Sequence, residues 1–216
     1  QARGDGAFVT AIDALAQHFA ACPLIAILRG VTPDEAEAIA GAVVEAGIRI
    51  VEVPLNSPAP FESIGRIARA FADRALIGAG TVLDPDDVDR VREGGGRLIV
   101  APGTDLAVIR RTVALGMVSA PGFFTPSEAI AALSAGAHAL KLFPAEAASP
   151  AVVKAMKAVL PTPVPLVVVG GVTPESMAAW RAAGADGFGL GSGLYAPGRS
   201  AKDTAARAHA YVAALT

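Results

Sequence analysis

Residues 125–143 read TPSEAIAALSAGAHALKLF. Thr125 precedes Pro126 and stands three residues before Glu128. That spacing is a capping box, in which two side chains satisfy the free amides at a helix start. Proline at the first helical position loses no hydrogen bond, because that amide is unpaired in any helix. The Ala-rich stretch then ends at Gly136, as a left-handed C-terminal cap requires. Ala139 to Phe143 follows as a short, continuously apolar run of strand length. The stretch predicts a helix, a glycine stop and a strand buried on both faces, the kind found in a parallel sheet covered by helices.

The same unit recurs along the chain. Apolar runs occupy 24–28, 48–53, 75–79, 97–101, 117–120, 139–143, 165–169 and 187–190, eight in all. Further cap-plus-proline pairs stand at Thr32-Pro33, Asp84-Pro85, Ser149-Pro150 and Thr173-Pro174, and Thr32 with Glu35 repeats the capping-box spacing. Glycines at 47, 94, 116 and 184 are the matching stops. Eight parallel strands with crossover helices close into a (β/α)8 barrel of the TIM type. An open doubly wound sheet is the alternative, but no Gly-rich dinucleotide turn follows Leu24–Leu28. Residues 7–20 read as an extra N-terminal amphipathic helix. No linker or low-complexity run divides the chain, so residues 1–216 are expected to form one barrel domain, with 1–6 a disordered or tag-derived leader.

The chain has 216 residues, of which 53% are hydrophobic and 18% charged. Its mean hydropathy is +0.49. This excludes a disordered chain and supplies one substantial core. No apolar run approaches the roughly 18–20 residues of a membrane span. A net charge of −2 and 5% aromatics give neither a basic stripe nor a base-stacking surface, so no nucleic-acid partner and no membrane are expected. The single cysteine, Cys22, permits no intrachain disulfide. With no signal-peptide pattern at the start, the expected location is the cytoplasm.

In such a barrel the chemistry sits at the C-terminal strand ends. Two charges there stand out. Lys141 lies inside an apolar strand, where desolvation lowers an amine's pKa and makes it a nucleophile fit for a Schiff base. Glu52, in Val51-Glu52-Val53-Pro54, is the matching oddity on the strand opposite. The plainer alternative is a structural ion pair between the two, or between Glu52 and Arg29. Gly170, Gly171 and Val172 after strand seven, with Gly191 and Ser192 after strand eight, form the expected phosphate site, aided by a helix starting at Thr173-Pro174. Arg29 ends strand one, next to strand eight in a closed ring, and is placed to reach a substrate anion. Thr81 is a candidate hydrogen-bond donor to substrate, with helix capping as its plainer role. Pro102 and Phe143 are expected apolar walls. His18, His138 and His209 are scattered, so no metal site and no cofactor are expected.

The ordered stretches Ile25-Ala26-Ile27-Leu28-Arg29-Gly30, Val51-Glu52-Val53-Pro54, Gly78-Ala79-Gly80-Thr81-Val82, Leu140-Lys141-Leu142-Phe143-Pro144, Val169-Gly170-Gly171-Val172 and Leu190-Gly191-Ser192 resemble a known family. It is the family of class I aldolases that cleave 2-keto-3-deoxy-6-phospho-sugar acids. The likeness runs from about Cys22 to the C-terminus. It implies Lys141 as the Schiff-base lysine, Glu52 as the general acid/base, pyruvate and glyceraldehyde 3-phosphate as products, no metal, and a homotrimer. The stretch from Glu52 to Pro58 resembles the galactonate branch, because the gluconate branch usually carries Arg where this chain has Asn56. The family commonly has Asn after the proline of strand four, where Gly103 follows Pro102 here. Two readings from other classes are a phosphate-binding barrel isomerase or epimerase, with Glu52 as base and Lys141 only an electrostatic partner, and a non-catalytic sugar-phosphate-binding protein.

Overall fold

The computed structural model describes residues 10–161 and 164–216. Helix α1 (Ala11–Ala21) precedes strand β1 (Leu24–Ile27). Then follow α2 (Pro33–Glu45), β2 (Ile50–Pro54), α3 (Pro60–Phe71), β3 (Leu76–Gly80), α4 (Pro85–Glu93), β4 (Leu98–Val100), α5 (Leu106–Ala114), β5 (Val118–Ala120) and β6 (Gly122–Phe123). The second half runs α6 (Pro126–Ser134), β7 (Leu140–Leu142), a 3-10 turn at Ala145–Ala147, α7 (Pro150–Val159), β8 (Leu166–Val169), α8 (Met177–Ala182), β9 (Gly187–Leu190) and α9 (Ala201–Ala213).

The strands are parallel and ordered β5-β4-β3-β2-β1-β9-β8-β7-β6. Among the described residues, nine strands stand where eight are expected, because Pro121 divides the fifth barrel strand in two. β5 pairs with β4, and β6 pairs with β7. Proline has no N–H to give a ladder, but its carbonyl accepts from the Lys141 amide at 2.9 Å. The Ser119 carbonyl accepts from the His138 amide at 2.9 Å. These bonds carry the ring across the break, so the architecture is the (β/α)8 barrel.

Alternation along each strand separates two cores. Val51, Val53, Ile77 and Val168 face the helices. Ile25, Ile27, Ile50, Leu76, Leu98, Val100, Val118 and Val167 fill the barrel interior. Leu15 of α1, with Phe19 packed beside it, belongs to the interior group, so the leading helix stops the N-terminal end of the barrel. Among the described residues, the cavity therefore opens at the C-terminal strand ends. Each buried Val, Leu or Ile contributes about 1.5–3 kcal/mol. Exposed ion pairs such as Arg90–Asp87 contribute about 0–1 kcal/mol. The cores, not the surface charges, hold the fold.

The capping signals mostly work as expected. Thr125 Oγ1 accepts from the Glu128 amide, and Glu128 Oε2 accepts from the Thr125 amide at 2.8 Å. Ser149 precedes Pro150 at the start of α7, though its side chain makes no capping bond. Three expectations are corrected. The leading helix is Ala11–Ala21, capped by Thr10; residues 1–6 and the expected first helical turn at 7–9 lie outside the described residues. Residues 174–176 form a turn closed by the Ser176 amide on the Thr173 carbonyl, with reciprocal Thr173–Ser176 side-chain bonds, and α8 begins only at Met177. Gly94 stays right-handed with φ −69, and Gly95 takes the left-handed position with φ 96. No helix among the described residues is long and apolar enough to cross a membrane.

His138 sits at the seam of the ring. Its Nδ1 accepts from the Ser119 amide at 3.1 Å, which requires the neutral imidazole. Burial holds its pKa below the usual histidine value. As pH falls, the unfolded chain takes up this proton before the folded one does, so stability present above about pH 6.5 is lost below it. Urea unfolding at pH 7 and pH 5 should show a smaller acid loss for His138→Asn, which keeps an acceptor but does not titrate. An equal loss in both proteins would remove His138 from the seam's pH response.

Candidate active site

Inward parity carries the barrel interior to its mouth. Ile25 and Ile27 point inward, so Arg29 does too. The same alternation places Glu52 after Ile50 and puts Lys141 and Phe143 after Ala139. Arg29, Lys141, Phe143, Gly170, Gly171, Val172, Gly191 and Ser192 line one cleft of about 160 Å³, with Ile27 and Val169 as its floor. Beneath it lies a space of about 10 Å³, walled by Ile25, Val100, Ala120, Leu140 and Val167 and flanked by both Glu52 and Lys141. That is room for about one water. Lys141 is shared by the two cavities and marks the boundary between them.

Neither charge is neutralised in the ordinary way. Glu52 is 1% exposed and Lys141 6%. Glu52 Oε2 has no hydrogen-bond partner, and no salt bridge joins either residue to any other among the described residues. Burial pushes the Glu52 carboxyl up to about 7, opposed by the positive charges of Lys141 and Arg29. Burial lowers the Lys141 amine, Glu52 opposes that shift, and Arg29 adds to it. Lys141 Nζ also stands 4.6 Å from the centre of the Phe143 ring. The carboxyl is thus poised near neutrality and the amine is biased towards its nucleophilic form.

Local backbone choices make room for these groups. A Cβ on Gly80 would stand 1.5 Å from Glu52 Oε2, so glycine at 80 is what lets the carboxylate lie against β3. Thr81 adopts φ 54, a conformation that costs a β-branched residue energy and that clusters at functional sites. It does not cap α4; Asp84 does, accepting from the Asp86 amide at 2.9 Å. Thr81 Oγ1 instead meets Arg29 Nη2 at 3.4 Å, while Arg29 Nη1 donates to Asn56 Oδ1 at 2.5 Å. The guanidinium is therefore drawn towards the β2 and β3 side of the mouth. Thr81 and Pro102 lie outside the cleft lining. Pro102 packs by its backbone against Gly122.

The phosphate expectation keeps its glycines but loses its helix, since residues 174–176 form only a turn. Gly170 and Gly171 have φ 119 and 63. A Cβ on Gly170 would stand 2.0 Å from Glu146 Oε2. Glu146 itself lines the cleft and is the main residue that sequence reasoning passed over. The signal was present as a glutamate five residues beyond Lys141, but it reads as one of many loop carboxylates. Among the described residues, no group of three or more His, Cys, Asp or Glu side chains could hold a metal ion.

The sequence pattern described as "Aldolase: KDPG and KHG aldolase" matches residues 15–207. The chain belongs to this aldolase family. It is 55% identical over 192 residues to the 2-dehydro-3-deoxy-6-phosphogalactonate aldolase of Escherichia coli strain K12, covering 89% of this chain and 94% of that one. It is 50% identical over 192 residues to a probable 2-dehydro-3-deoxy-6-phosphogalactonate aldolase of Rhizobium meliloti strain 1021, covering 89% and 91%. A solved structure described as native KDPGal superposes with a TM-score of 0.88 at 54% identity, covering 89% of this chain and 94% of that chain. As a member of the KDPG and KHG aldolase family, the chain is a carbon–carbon lyase.

The raised Glu52 carboxyl has a cost in stability. Its folded pKa of about 7 exceeds the ordinary carboxylate value near 4.5. Stability is therefore fully present below about pH 4.5 and lost as pH rises through 7. Glu52→Gln, which cannot ionise, should unfold at higher urea than the parent at pH 8, and the gap should close towards pH 5. A variant no more stable than its parent at pH 8 would contradict the desolvated carboxylate.

Proposed function

We propose that this lyase cleaves 2-dehydro-3-deoxy-6-phosphogalactonate to pyruvate and D-glyceraldehyde 3-phosphate through a Schiff base on Lys141. The observation that carries the reading is a buried amine without an ion-pair partner, facing a buried carboxylate without a hydrogen-bond partner, on one cavity. A structural ion pair would have closed that gap, because unpaired buried charges cost several kcal/mol each. Membership of the KDPG and KHG aldolases supports the aldol chemistry, and the names of the relatives support the substrate. The galacto preference is supported by the likeness of the stretch from Glu52 to Pro58 to the galactonate branch, a stretch in which Asn56 accepts from Arg29.

In the proposed mechanism, Lys141 Nζ attacks the keto carbon, C2, and water leaves to give a protonated imine. Glu52, directly or through the single water its cavity admits, takes the proton from the C4 hydroxyl. The C3–C4 bond breaks, its electron pair enters the imine as an enamine, and glyceraldehyde 3-phosphate departs. Protonation of the enamine carbon and hydrolysis return the amine and release pyruvate. Amides of Gly170, Gly171, Val172, Gly191 and Ser192 bind the phosphate end. Arg29, held by Thr81 from outside the cleft, meets the carboxylate end, Pro102 backs that end through Gly122, and Phe143 walls the imine. We further infer that residues 1–216 act as one barrel domain in the cytoplasm; the lone, buried Cys22 suits a reducing compartment.

Borohydride with pyruvate, followed by peptide mapping, should modify Lys141 and no other lysine. In Glu52→Gln, cleavage should fall by roughly 10²–10⁴-fold, more than the trapping rate does. An active enzyme left unmodified at Lys141 would rule out the Schiff base, and a Gln variant that cleaves at the parental rate would rule out Glu52 as the base.

We also propose a homotrimer, as the family resemblance implies. Leu83, Phe124 and Ile130 are 64%, 39% and 51% exposed and offer apolar surface for a subunit contact. Sedimentation equilibrium should return three times the chain mass of 21.6 kDa. A monomer at micromolar concentration would refute the assembly.

A further inference from the structure

Helix α9 and the loop before it reach the glycine loops from behind. Arg199 Nη1 donates to the Ser192 carbonyl at 2.9 Å, and Arg207 Nη1 donates to the Gly193 carbonyl at 3.0 Å. The Tyr211 hydroxyl donates to the Val172 carbonyl at 2.9 Å. Arg207 and Tyr211 stand four residues apart, on one face of α9. Tyr211 is buried, and its oxygen would lie 2.2 Å from a Cβ at position 193. The hydroxyl therefore sits between the loop after β8 and the loop after β9, and glycine at 193 admits it.

The consequence follows from the planar peptide. The C=O and N–H of one peptide point in opposite directions. Holding the Ser192 carbonyl towards Arg199 turns the Gly193 amide the other way, and Gly193 lines the cleft. The Gly191 carbonyl accepts from the Leu194 and Tyr195 amides at 2.9 and 3.0 Å. That turn leaves the Ser192 and Gly193 amides without an acceptor among the described residues. Successive free amides of this kind make an anion-binding concavity. On the other loop, the Thr173 amide is taken by Ser176 Oγ at 3.0 Å and the Val172 carbonyl by Tyr211, so the Val172–Thr173 peptide is held at both ends.

We propose that Arg199, Arg207 and Tyr211 are positioning residues that hold both glycine loops in the shape that receives the substrate phosphate, without touching it themselves. The inference rests on the phosphate-subsite reading above and extends that site to a helix at the far end of the chain. None of the three lines the cleft. Their effect should appear in phosphate affinity and not in the imine chemistry.

Inorganic phosphate as a competitive inhibitor of cleavage tests this, with pyruvate trapping on Lys141 measured in parallel. Tyr211→Phe removes one neutral donor, and Arg207→Met removes one charged donor on an exposed helix face, where folding is little affected. Each should raise the phosphate inhibition constant and KM by about fivefold, the worth of one hydrogen bond. kcat and the pyruvate trapping rate should hold. Arg207→Lys, which keeps a donor and its charge, should recover most of the loss. Parental phosphate constants in both variants would overturn the proposal. So would an equal fall in pyruvate trapping, which would mean a general distortion of the barrel. If phosphate fails to compete even in the parent, the phosphate subsite itself is wrong, and the positioning role fails with it.

Discussion

An ammonium or carboxylate removed from water loses several kcal/mol of hydration unless a partner restores it. The barrel imposes that loss on Lys141 and Glu52 together and withholds the close pairing that would repay it. Each group still feels the other's charge, which limits the shift of both pKa values. The result is an amine biased towards its neutral form and a carboxyl near neutrality, in a space with room for about one water. Everything else about the site serves to keep that arrangement: α1 seals the far end, aliphatic side chains fill the interior below, and the mouth stays open above.

Parallel strands make this possible with very few residues. Side chains alternate in and out, so the residue two beyond the last core aliphatic is delivered to the mouth with its direction already set. Arg29, Glu52 and Lys141 arrive in this way, and Phe143 follows two residues after Lys141. The space they need comes from glycines at equivalent inward positions, of which Gly80 is the most consequential because the Glu52 carboxylate occupies the volume of its absent side chain. Function here depends as much on side chains left out as on those supplied.

The mouth is divided by charge and by support. On one side Arg29 is anchored to Asn56 and Thr81. On the other the glycine loops offer bare amides, braced from outside by α9. Glu146 stands among those amides as the one carboxylate of the cleft. In the proposed reaction, a substrate with an anion at each end would meet two differently built receptors, one a side-chain cation and one a backbone cradle.

The sequence by itself determined the element types, the barrel and the two unusual charges. These are local signals: capping boxes, glycine stops, and a Lys or Glu inside an apolar run can each be read within a few residues. It also marked the positions of the glycine loops, although the same glycines could be read as plain tight turns between strand and helix. It did not show that Pro121 would split the fifth strand, because a proline's effect depends on whether its carbonyl finds a donor, here the Lys141 amide. Nor did it show that Thr173-Pro174 opens a turn before α8 starts at Met177, since the Ser176 amide bonds the Thr173 carbonyl three residues back. Glu146, Gly80 and the α9 residues Arg207 and Tyr211 were hidden for one reason. Each acts on a partner far along the chain, and only the closing of the ring brings Gly80 to Glu52, Glu146 to Gly170 and Tyr211 to Val172.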